Sequence, residues 1–352
     1  MDDKILIDFE RMKYPNNGLY QFSVDLGKSL VKEAANPEQL YFYLPHSAIN
    51  SFGNKSNYVT QHSFHKFYFP GASRFRVWHA THQGTAYYPF SAKARKVLTV
   101  HDINFMHDDS KTPYKRARDL KALKKKVLNA DYITSISEFV MKDLMQYVDI
   151  PPDRRRVIYN GCRINEIADI NMPVVKPHAP FLFTIGVISP KKNFHVLPAL
   201  LVNNDMQLII SGVTGNPHYK NKIFETAKSM GVEKRIIFTG PVSENDKQWY
   251  YKNCEAFVFP SKAEGFGLPV LEAMYFGKPA ILSTLSSLPE IGGTQAYYFK
   301  NFDPDHMRKV LTNSLEQYYR YKPIDLIREQ ALSFSWDKSA QQYLEVYKIM
   351  GR

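Results

Sequence analysis

The residues best suited to chemistry lie in the segment Phe257–Pro279, which reads FVFPSKAEGFGLPVLEAMYFGKP. An apolar run ends at Ser261, a loop with two glycines follows, and a helix is predicted to begin near Leu268. The unpaired N–H groups and the partial positive charge of a helix N-terminus bind anions such as phosphate. Gly265 and Gly267 allow the backbone to approach a ligand closely. The segment therefore predicts a phosphate site.

Two carboxylates flank this predicted phosphate site. Glu264 precedes the helix and Glu272 lies inside it, eight residues later. A carboxylate accepts hydrogen bonds from two neighbouring hydroxyls, such as those of a ribose or a hexose. A phosphate site with a carboxylate on each side suits a nucleotide sugar. A buried capping Glu and a solvated helix Glu would account for the same residues without a ligand.

A second candidate element combines a strand with two lysines. The apolar run Phe181–Gly186 predicts a strand, and Lys191 and Lys192 follow its end. Cationic side chains at a strand end are well placed to hold a diphosphate. Two lysines on a solvated loop would give the same sequence.

The first half of the chain carries weaker signals. His101 and Asp102 follow the predicted strand Lys96–Val100, where a parallel sheet binds ligands. A histidine whose hydrogen bonds are satisfied within a turn would look the same. Asn17 and Gly18 form a turn before a predicted helix.

Parallel sheets are the elements that must position these residues. Apolar runs recur 20 to 30 residues apart in the second half, with helical stretches between them, and less regularly in the first half. Residues 46–66 lack periodicity and are predicted to be an irregular loop. The predicted strands are Lys4–Phe9, Gln39–Leu44, Val77–Ala80, Lys96–Val100, Tyr132–Ser135, Arg156–Tyr159, Phe181–Gly186, Gln207–Gly212, Arg235–Gly240, Ala256–Ser261 and Pro279–Ser283.

Helices and linkers complete the predicted α/β architecture of two doubly wound, Rossmann-like domains. The predicted domains are residues 1–167 and 181–330, joined by a linker at 168–180 that contains three prolines. Residues 331–352 are predicted to be a C-terminal helical segment, in which the helix covers Phe334–Met350 and Ser335 is the expected N-cap. We expect a ligand at the carboxyl ends of the strands, in the cleft between the domains.

Composition limits the class of protein. The 352 residues include 46 Lys and Arg against 34 Asp and Glu, a net charge of +12. The two cysteines exclude a disulfide framework and a zinc ribbon, and favour a reducing compartment. Neither a signal peptide nor a membrane-spanning run is expected. A basic chain binds nucleic acid, an anionic membrane surface or an anionic substrate, and composition does not choose among these.

The segment Phe257–Pro279 resembles the E-x7-E signature of glycosyltransferase family 4, whose members are retaining enzymes of GT-B fold. The flanking elements are similar too, namely Phe259–Ser261, Gly277–Pro279 and Leu288–Glu290. The His101-Asp102 pair resembles the family's "HD" element, in the same chain order. The resemblance implies two Rossmann-like domains that face a central cleft, with the C-terminal helix crossing back to the N-terminal domain.

The resemblance also implies the reaction. It is the transfer of a hexose, with mannose as the first candidate, from a nucleotide diphospho-sugar to a glycan or lipid-linked saccharide in cell-surface polysaccharide or lipopolysaccharide synthesis. Residues 1–167 would form the acceptor side and 181–330 would bind the donor. GDP-mannose is expected ahead of UDP-sugars. No cofactor and no metal in the site are expected.

The family pattern assigns catalytic roles to three residues. Glu264 would bind the sugar hydroxyls, Lys192 the leaving diphosphate and His101 the donor sugar. Glu272 would bind the ribose. The arginine that usually follows the strand glycine is absent, so Lys191 is expected to supply the second cation. Further donor contacts are implied for Lys191, Gly186, Gly265, Phe266, Gly267, Leu268 and Val242, and acceptor-side contacts for Asn17, Gly18 and Asp102.

The basic residues of the first half indicate a further partner. The stretch Lys111–Lys126 holds eight Lys and Arg against one acid. We expect a cytoplasmic protein attached peripherally to the inner face of the cytoplasmic membrane through this stretch. Two alternatives remain open. One is a sugar-nucleotide epimerase of GT-B fold. The other is a nucleic-acid-binding protein, although the chain has no RNP motif, zinc finger or recognition helix, so nucleic acid is not expected as a partner.

Overall fold

A computed structural model describes residues 4–15, 18–107 and 111–352. The chain divides into two compact units, one formed by Met1–Arg163 with Phe334–Arg352 and the other by Ile164–Ser333. Residues 164–180 contain no helix or strand. Among the described residues, no helix is both long enough and apolar enough to cross a bilayer.

The first unit contains a seven-stranded sheet in which every pair of neighbouring strands is parallel. Its strands are β1 Ile5–Asp8, β2 Leu40–Leu44, β3 Asn57–Thr60, β4 Val77–Ala80, β5 Arg95–Val100, β6 Tyr132–Ser135 and β7 Arg155–Val157. The strand order is β3-β2-β1-β4-β5-β6-β7, so the order reverses between β1 and β4.

Burial explains which of these strands were predictable. All residues of β1, β4 and β6 are buried, as expected for strands that helices cover on both faces. The prediction of an irregular loop at 46–66 is wrong, because β3 lies within it. Its four residues are only partly buried at the sheet edge and form no continuous apolar run.

Helices cover the sheet of the first unit, and the C-terminal helix is one of them. Ser335 caps this helix as predicted, because its side chain accepts the Lys338 N–H. Gly161 explains the close approach of its first turn, since a Cβ there would lie 2.1 Å from the Trp336 nitrogen. The helices are α1 Gly18–Glu33, α2 Pro113–Asn129, α3 Glu138–Met145 and, at the C-terminus, Trp336–Met350.

Helix α2 carries the basic stretch and packs less deeply than its pattern predicts. Tyr114, Ala117, Leu120, Leu123 and Val127 recur at helical spacing and predict one apolar stripe, but only Leu123 and Val127 are buried and Tyr114 is 79% exposed. The N-terminal half of α2 therefore presents both cations and an aromatic ring to solvent.

The second unit contains a six-stranded parallel sheet in the order β10-β9-β8-β11-β12-β13. Five of these strands were predicted. The sixth, at the edge, has only three residues and was missed. The strands are β8 Phe181–Ile185, β9 Gln207–Ser211, β10 Ile236–Gly240, β11 Ala256–Phe259, β12 Ala280–Ser283 and β13 Tyr297–Phe299.

The helices of the second unit alternate with its strands, and the fold is the doubly wound α/β architecture that was predicted. They are α4 Pro217–Ser229, α5 Glu244–Asn253, α6 Leu268–Tyr275, α7 Leu288–Gly292, α8 Pro304–Tyr321 and α9 Ile324–Leu332, and the C-terminal helix of the first unit is numbered α10.

Candidate active site

The strand order of the second unit places two predicted elements side by side. Strands β8 and β11 are neighbours, and the order reverses between them. In open α/β sheets a crevice for ligands forms at such a reversal, beyond the carboxyl ends of the strands. Lys192 follows β8 and Glu264 follows β11. The sheet therefore brings together residues 72 positions apart in the sequence.

Lys192 is held in a 3-10 turn, Pro190–Lys192, and is buried to 9% exposure. Its ammonium donates a hydrogen bond to Glu264 Oε1 at 2.5 Å and lies 4.7 Å from the centre of the Phe259 ring. Gly186 makes room for it, because a Cβ there would lie 3.0 Å from the Lys192 Cε atom. Gly186 also has a φ of +151°, which favours glycine.

Glu264 is oriented by two donors. Besides Lys192, the Ser261 hydroxyl donates to Glu264 Oε1 at 2.6 Å, and Ser261 is fully buried. Ser261 was seen in the sequence only as the end of a strand, and its role in holding the carboxylate emerges from the structure. The Glu264 side chain is 14% exposed, so the carboxylate is nearly enclosed yet open on one side.

The glycine loop ends at the start of α6, as predicted. Gly267 has a φ of +119°, and no side chain caps the helix there. The loop is fixed by the Ser287 hydroxyl, which contacts the carbonyls of Phe266 at 2.6 Å and Glu264 at 3.1 Å. Phe266 is buried, whereas Gly265 and Leu268 are partly exposed. The start of α6, which no side chain caps, is therefore suited to an anion.

Glu272 lies on α6 but contacts a different set of side chains. The Lys247 ammonium donates to its Oε1 at 3.0 Å, and the Tyr251 hydroxyl donates to its Oε2 at 2.9 Å. Sequence reasoning missed both partners. Their separation by four residues on α5 was the available signal, because it places them on one helix face.

The other predicted donor contacts are more loosely placed. Lys191 is exposed, unlike its neighbour Lys192, and its carbonyl accepts the Lys262 N–H at 2.8 Å. Val242 is partly buried in the turn between β10 and α5. The prediction of a diphosphate contact for Lys191 thus rests on an exposed side chain.

His101 follows β5 in the first unit and is buried to 6% exposure. Its Nε2 lies 2.7 Å from the Thr81 carbonyl oxygen. Because a carbonyl only accepts, we assign the ring proton to Nε2. Burial lowers the pKa of His101 to about 4, and the ring is therefore neutral near pH 7.

The acceptor-side predictions also fall in the first unit. Gly18 begins α1, and a Cβ there would meet no atom within 4 Å. The Asp102 carboxylate accepts the Asn104 N–H at 3.0 Å. Asn17 lies outside the described residues. Within the ranges that the structure describes, no three His, Cys, Asp or Glu side chains group as a possible metal site.

Two family models match adjacent parts of the chain. Residues 47–166 match "Glycosyltransferase Family 4", and residues 169–325 match "Glycosyl transferases group 1". The two models together cover most of the chain, and both describe glycosyltransferases. The chain belongs to the glycosyltransferases. The second match contains the whole Lys192–Glu264 pair and the start of α6, so the residues with the clearest geometry are also those within the group 1 segment.

Curated members of this group resemble the chain to different extents. The serotype-specific mannosyltransferase WbdA of Escherichia coli is 32% identical over 235 residues, which cover 60% of the chain and 28% of WbdA. The chain thus matches little more than a quarter of that relative's length. The O-antigen chain mannosyltransferase B of Escherichia coli is 26% identical over 99% of the chain and 100% of its own length.

Solved structures show the same fold. The Anabaena protein Alr3699/HepE, crystallised with UDP and glucose, superimposes with a TM-score of 0.72 at 18% identity, over 98% of this chain and 99% of that one. The chain therefore has the GT-B fold that the resemblance implied.

Proposed function

We propose that this chain is a hexosyltransferase that moves a sugar from a nucleotide diphospho-sugar to a saccharide acceptor. The observation that supports this most is the buried Lys192–Glu264 pair beside the uncapped start of α6, at the strand reversal of the second sheet. These groups are a cation, a set of N–H donors and a hydroxyl-binding carboxylate, which are the groups that a sugar diphosphate requires.

The proposed mechanism stabilises the leaving group. Negative charge develops on the departing diphosphate, and the Lys192 ammonium and the N–H groups near Gly267 and Leu268 oppose it. Glu264 accepts hydrogen bonds from the sugar hydroxyls, and His101 contacts the donor sugar. We assign no residue as general base. In the proposed front-face reaction the leaving phosphate takes the acceptor's proton, and the anomeric configuration is retained without a metal.

Two single substitutions test this assignment. Lys192→Ala and Glu272→Ala should each weaken the binding of the donor nucleotide, because each removes a group that faces the diphosphate or the ribose. The fold should remain intact by circular dichroism. Full turnover by the double variant would contradict the proposal.

The donor is proposed to be GDP-mannose, ahead of UDP-sugars, and the acceptor a lipopolysaccharide, O-antigen or capsule intermediate. The names of the relatives WbdA and mannosyltransferase B support mannose. A thermal-shift panel of GDP, UDP, ADP and their sugars tests the donor, because a ligand of the native state raises the melting temperature according to its affinity. Greater stabilisation by UDP-glucose than by GDP-mannose would contradict the choice of mannose.

We further propose that the Lys111–Lys126 region lies on the anionic inner face of the cytoplasmic membrane. Lys115, Arg118, Lys121 and Lys125 are exposed on α2, together with the ring of Tyr114. Exposed cations and aromatic rings favour the interface of an anionic bilayer. Sedimentation with liposomes tests the proposal, and equal recovery with neutral and anionic lipid at low salt would reject it.

A further inference from the structure

The carboxylate of Glu272 is held from one side by a single helix. Lys247 and Tyr251, both on α5, each donate to a different oxygen of this carboxylate, at 3.0 and 2.9 Å. The Glu272 side chain is 22% exposed, so part of it still reaches solvent. The two donors fix the plane of the carboxylate from the protein side.

Tyr251 is a rigid donor. It is fully buried, its ring stacks on Phe276 at 6.1 Å between centroids, and it meets Phe183 edge-on at 5.1 Å. Burial, followed by the adjacent Glu272 carboxylate, raises the pKa of Tyr251 well above its ordinary value of 10, so the hydroxyl keeps its proton. The hydroxyl is the only polar group of this side chain, and it lies 2.9 Å from Glu272 Oε2 and 3.2 Å from the Pro269 carbonyl oxygen, so its shorter contact is to Glu272.

Lys247 is a charged donor shared by two carboxylates. Its ammonium contacts Glu272 at 3.0 Å and Glu244 at 2.9 Å, and the lysine side chain is 20% exposed. Burial alone would lower the pKa of Lys247, but Glu272 and Glu244 outweigh it and hold the pKa above its ordinary value. The ammonium is therefore charged at neutral pH.

This arrangement leaves a defined pair of acceptor sites. A carboxylate offers about four lone-pair positions, and Lys247 and Tyr251 occupy one on each oxygen. One further hydrogen bond per oxygen remains possible, which matches the two vicinal hydroxyls of a ribose. An orienting hydrogen bond of this kind lowers the entropy lost on binding.

We propose that Tyr251 and Lys247 are positioning residues that orient Glu272 toward the ribose 2′- and 3′-hydroxyls of the donor, and so set the preference for ribonucleotides over deoxyribonucleotides. The inference rests on the proposed function, because it requires a nucleotide beside α6. The competing explanation is that the same contacts only attach α5 to α6.

Tyr251→Phe tests the proposal, and Tyr250→Phe is its matched control. Tyr250 is also buried on α5, and its hydroxyl donates to the Val175 carbonyl at 2.6 Å, away from Glu272. Calorimetry measures the affinity for GDP, UDP or ADP, whichever binds the unmodified chain best, and for its 2′-deoxy and 3′-deoxy forms. We expect Tyr251→Phe to weaken the binding of the ribonucleotide about fivefold to tenfold and that of the deoxy forms much less, because the loss of one orienting hydrogen bond of ordinary net strength changes affinity by about this factor.

Lys247→Met provides a second, partly exposed site of substitution, with Lys252→Met as its control. Lys252 lies on the same helix but pairs with Glu166 at 3.6 Å. We expect Lys247→Met to decrease the ratio of ribonucleotide affinity to deoxynucleotide affinity, and Lys252→Met to leave this ratio unchanged. Melting temperatures identify any variant that fails to fold. If Tyr251→Phe does not fold, the comparison of Lys247→Met with Lys252→Met decides the test.

The outcomes distinguish a failure of the positioning role from a failure of the proposed function. Equal weakening of ribonucleotides and deoxynucleotides by Tyr251→Phe and Lys247→Met would overturn the positioning role and favour simple attachment of α5 to α6. An equal narrowing in the control variants would overturn it as well. A chain that binds none of the three nucleoside diphosphates would refute the proposed function itself.

Discussion

Replacing Glu264 by glutamine should strengthen the binding of a nucleoside diphosphate. In the structure, Lys192 donates to Glu264 Oε1 at 2.5 Å, and the two side chains are only 11% and 14% exposed. In the proposed function, the Lys192 ammonium binds the diphosphate. The carboxylate and the diphosphate therefore compete for one cation, and glutamine keeps the size and an acceptor oxygen while it removes the charge.

The magnitude follows from this one contact. Hydrogen bonds to charged groups contribute about 1.5–3 kcal/mol; the ammonium–carboxylate contact belongs at the upper end of this range and an ammonium–amide contact at the lower end. Glu264→Gln therefore releases Lys192 by about 1–1.5 kcal/mol, or roughly tenfold in affinity for the free nucleoside diphosphate. The free energy of unfolding should fall by a similar amount, because the same ion pair stabilises the empty site.

The intact sugar nucleotide should respond differently. Its sugar hydroxyls lose the charged acceptor at Glu264, so the gain at the diphosphate is offset and turnover falls. The preference of the variant for nucleoside diphosphate over sugar nucleotide should therefore increase relative to the unmodified chain.

Calorimetry with the preferred nucleoside diphosphate and with its sugar measures both effects. Glu316→Gln is the control, because it removes one negative charge from an exposed position on α8 of the same unit. A folded Glu264→Gln chain that binds the nucleoside diphosphate no more tightly than the unmodified chain would refute competition for Lys192. An equal gain in Glu316→Gln would show that net charge alone is responsible.

Three further predictions follow from single residues. Gly186→Ala should weaken nucleoside diphosphate binding by displacing Lys192, whose Cε atom would lie 3.0 Å from the new methyl group; calorimetry would show unchanged affinity if the prediction is wrong. Gly161→Ala should lower the urea midpoint, because the methyl group would overlap the start of α10 at Trp336, and an unchanged midpoint would contradict this. Burial lowers the pKa of His101 to about 4, whereas the same histidine in the unfolded chain has a pKa of about 6.5. As the pH falls from about 6.5 to 4, the unfolded chain therefore binds a proton that the folded chain does not, and the free energy of unfolding decreases. Urea titrations over this range should show a smaller decrease for His101→Gln.

The sheets were predictable where strands are buried on both faces. Strands β8, β9 and β11 are almost wholly buried and rich in apolar residues, and turns or glycines mark their ends. The edge strand β3 was missed because it is only partly buried and has polar residues at both ends, and the edge strand β13 because it has only three residues. The partly buried edge strands β7 and β10 were nevertheless predicted. A strand with few apolar residues is stabilised mainly by backbone pairing, which the pattern of side chains does not record.

The sequence predicted which residues belong to the candidate site, but not which side chains contact one another. The glycine loop and the start of α6 follow from local sequence, since positive φ and a helix start have local signals. The pairing of Lys192 with Glu264 depends on the adjacency of β8 and β11, which only the strand order reveals. Lys247 was not singled out at all, because a lysine on an amphipathic helix is ordinarily solvated.

The distribution of charge argues for two separate anionic partners. The second unit, residues 164–333, holds 18 Lys and Arg against 16 Asp and Glu, which leaves 28 against 18 for the first unit. A surplus that existed to attract the nucleotide should lie in the second unit, where Lys192 and Lys247 are instead paired with carboxylates. Most of the +12 charge lies in the first unit, and residues 39–101 contain seven Lys and Arg and no acid. The proposed donor site thus has a few enclosed charges that act at short range. The exposed surplus of the first unit suits the extended anionic surface that we propose as the second partner, and that attraction should weaken with salt.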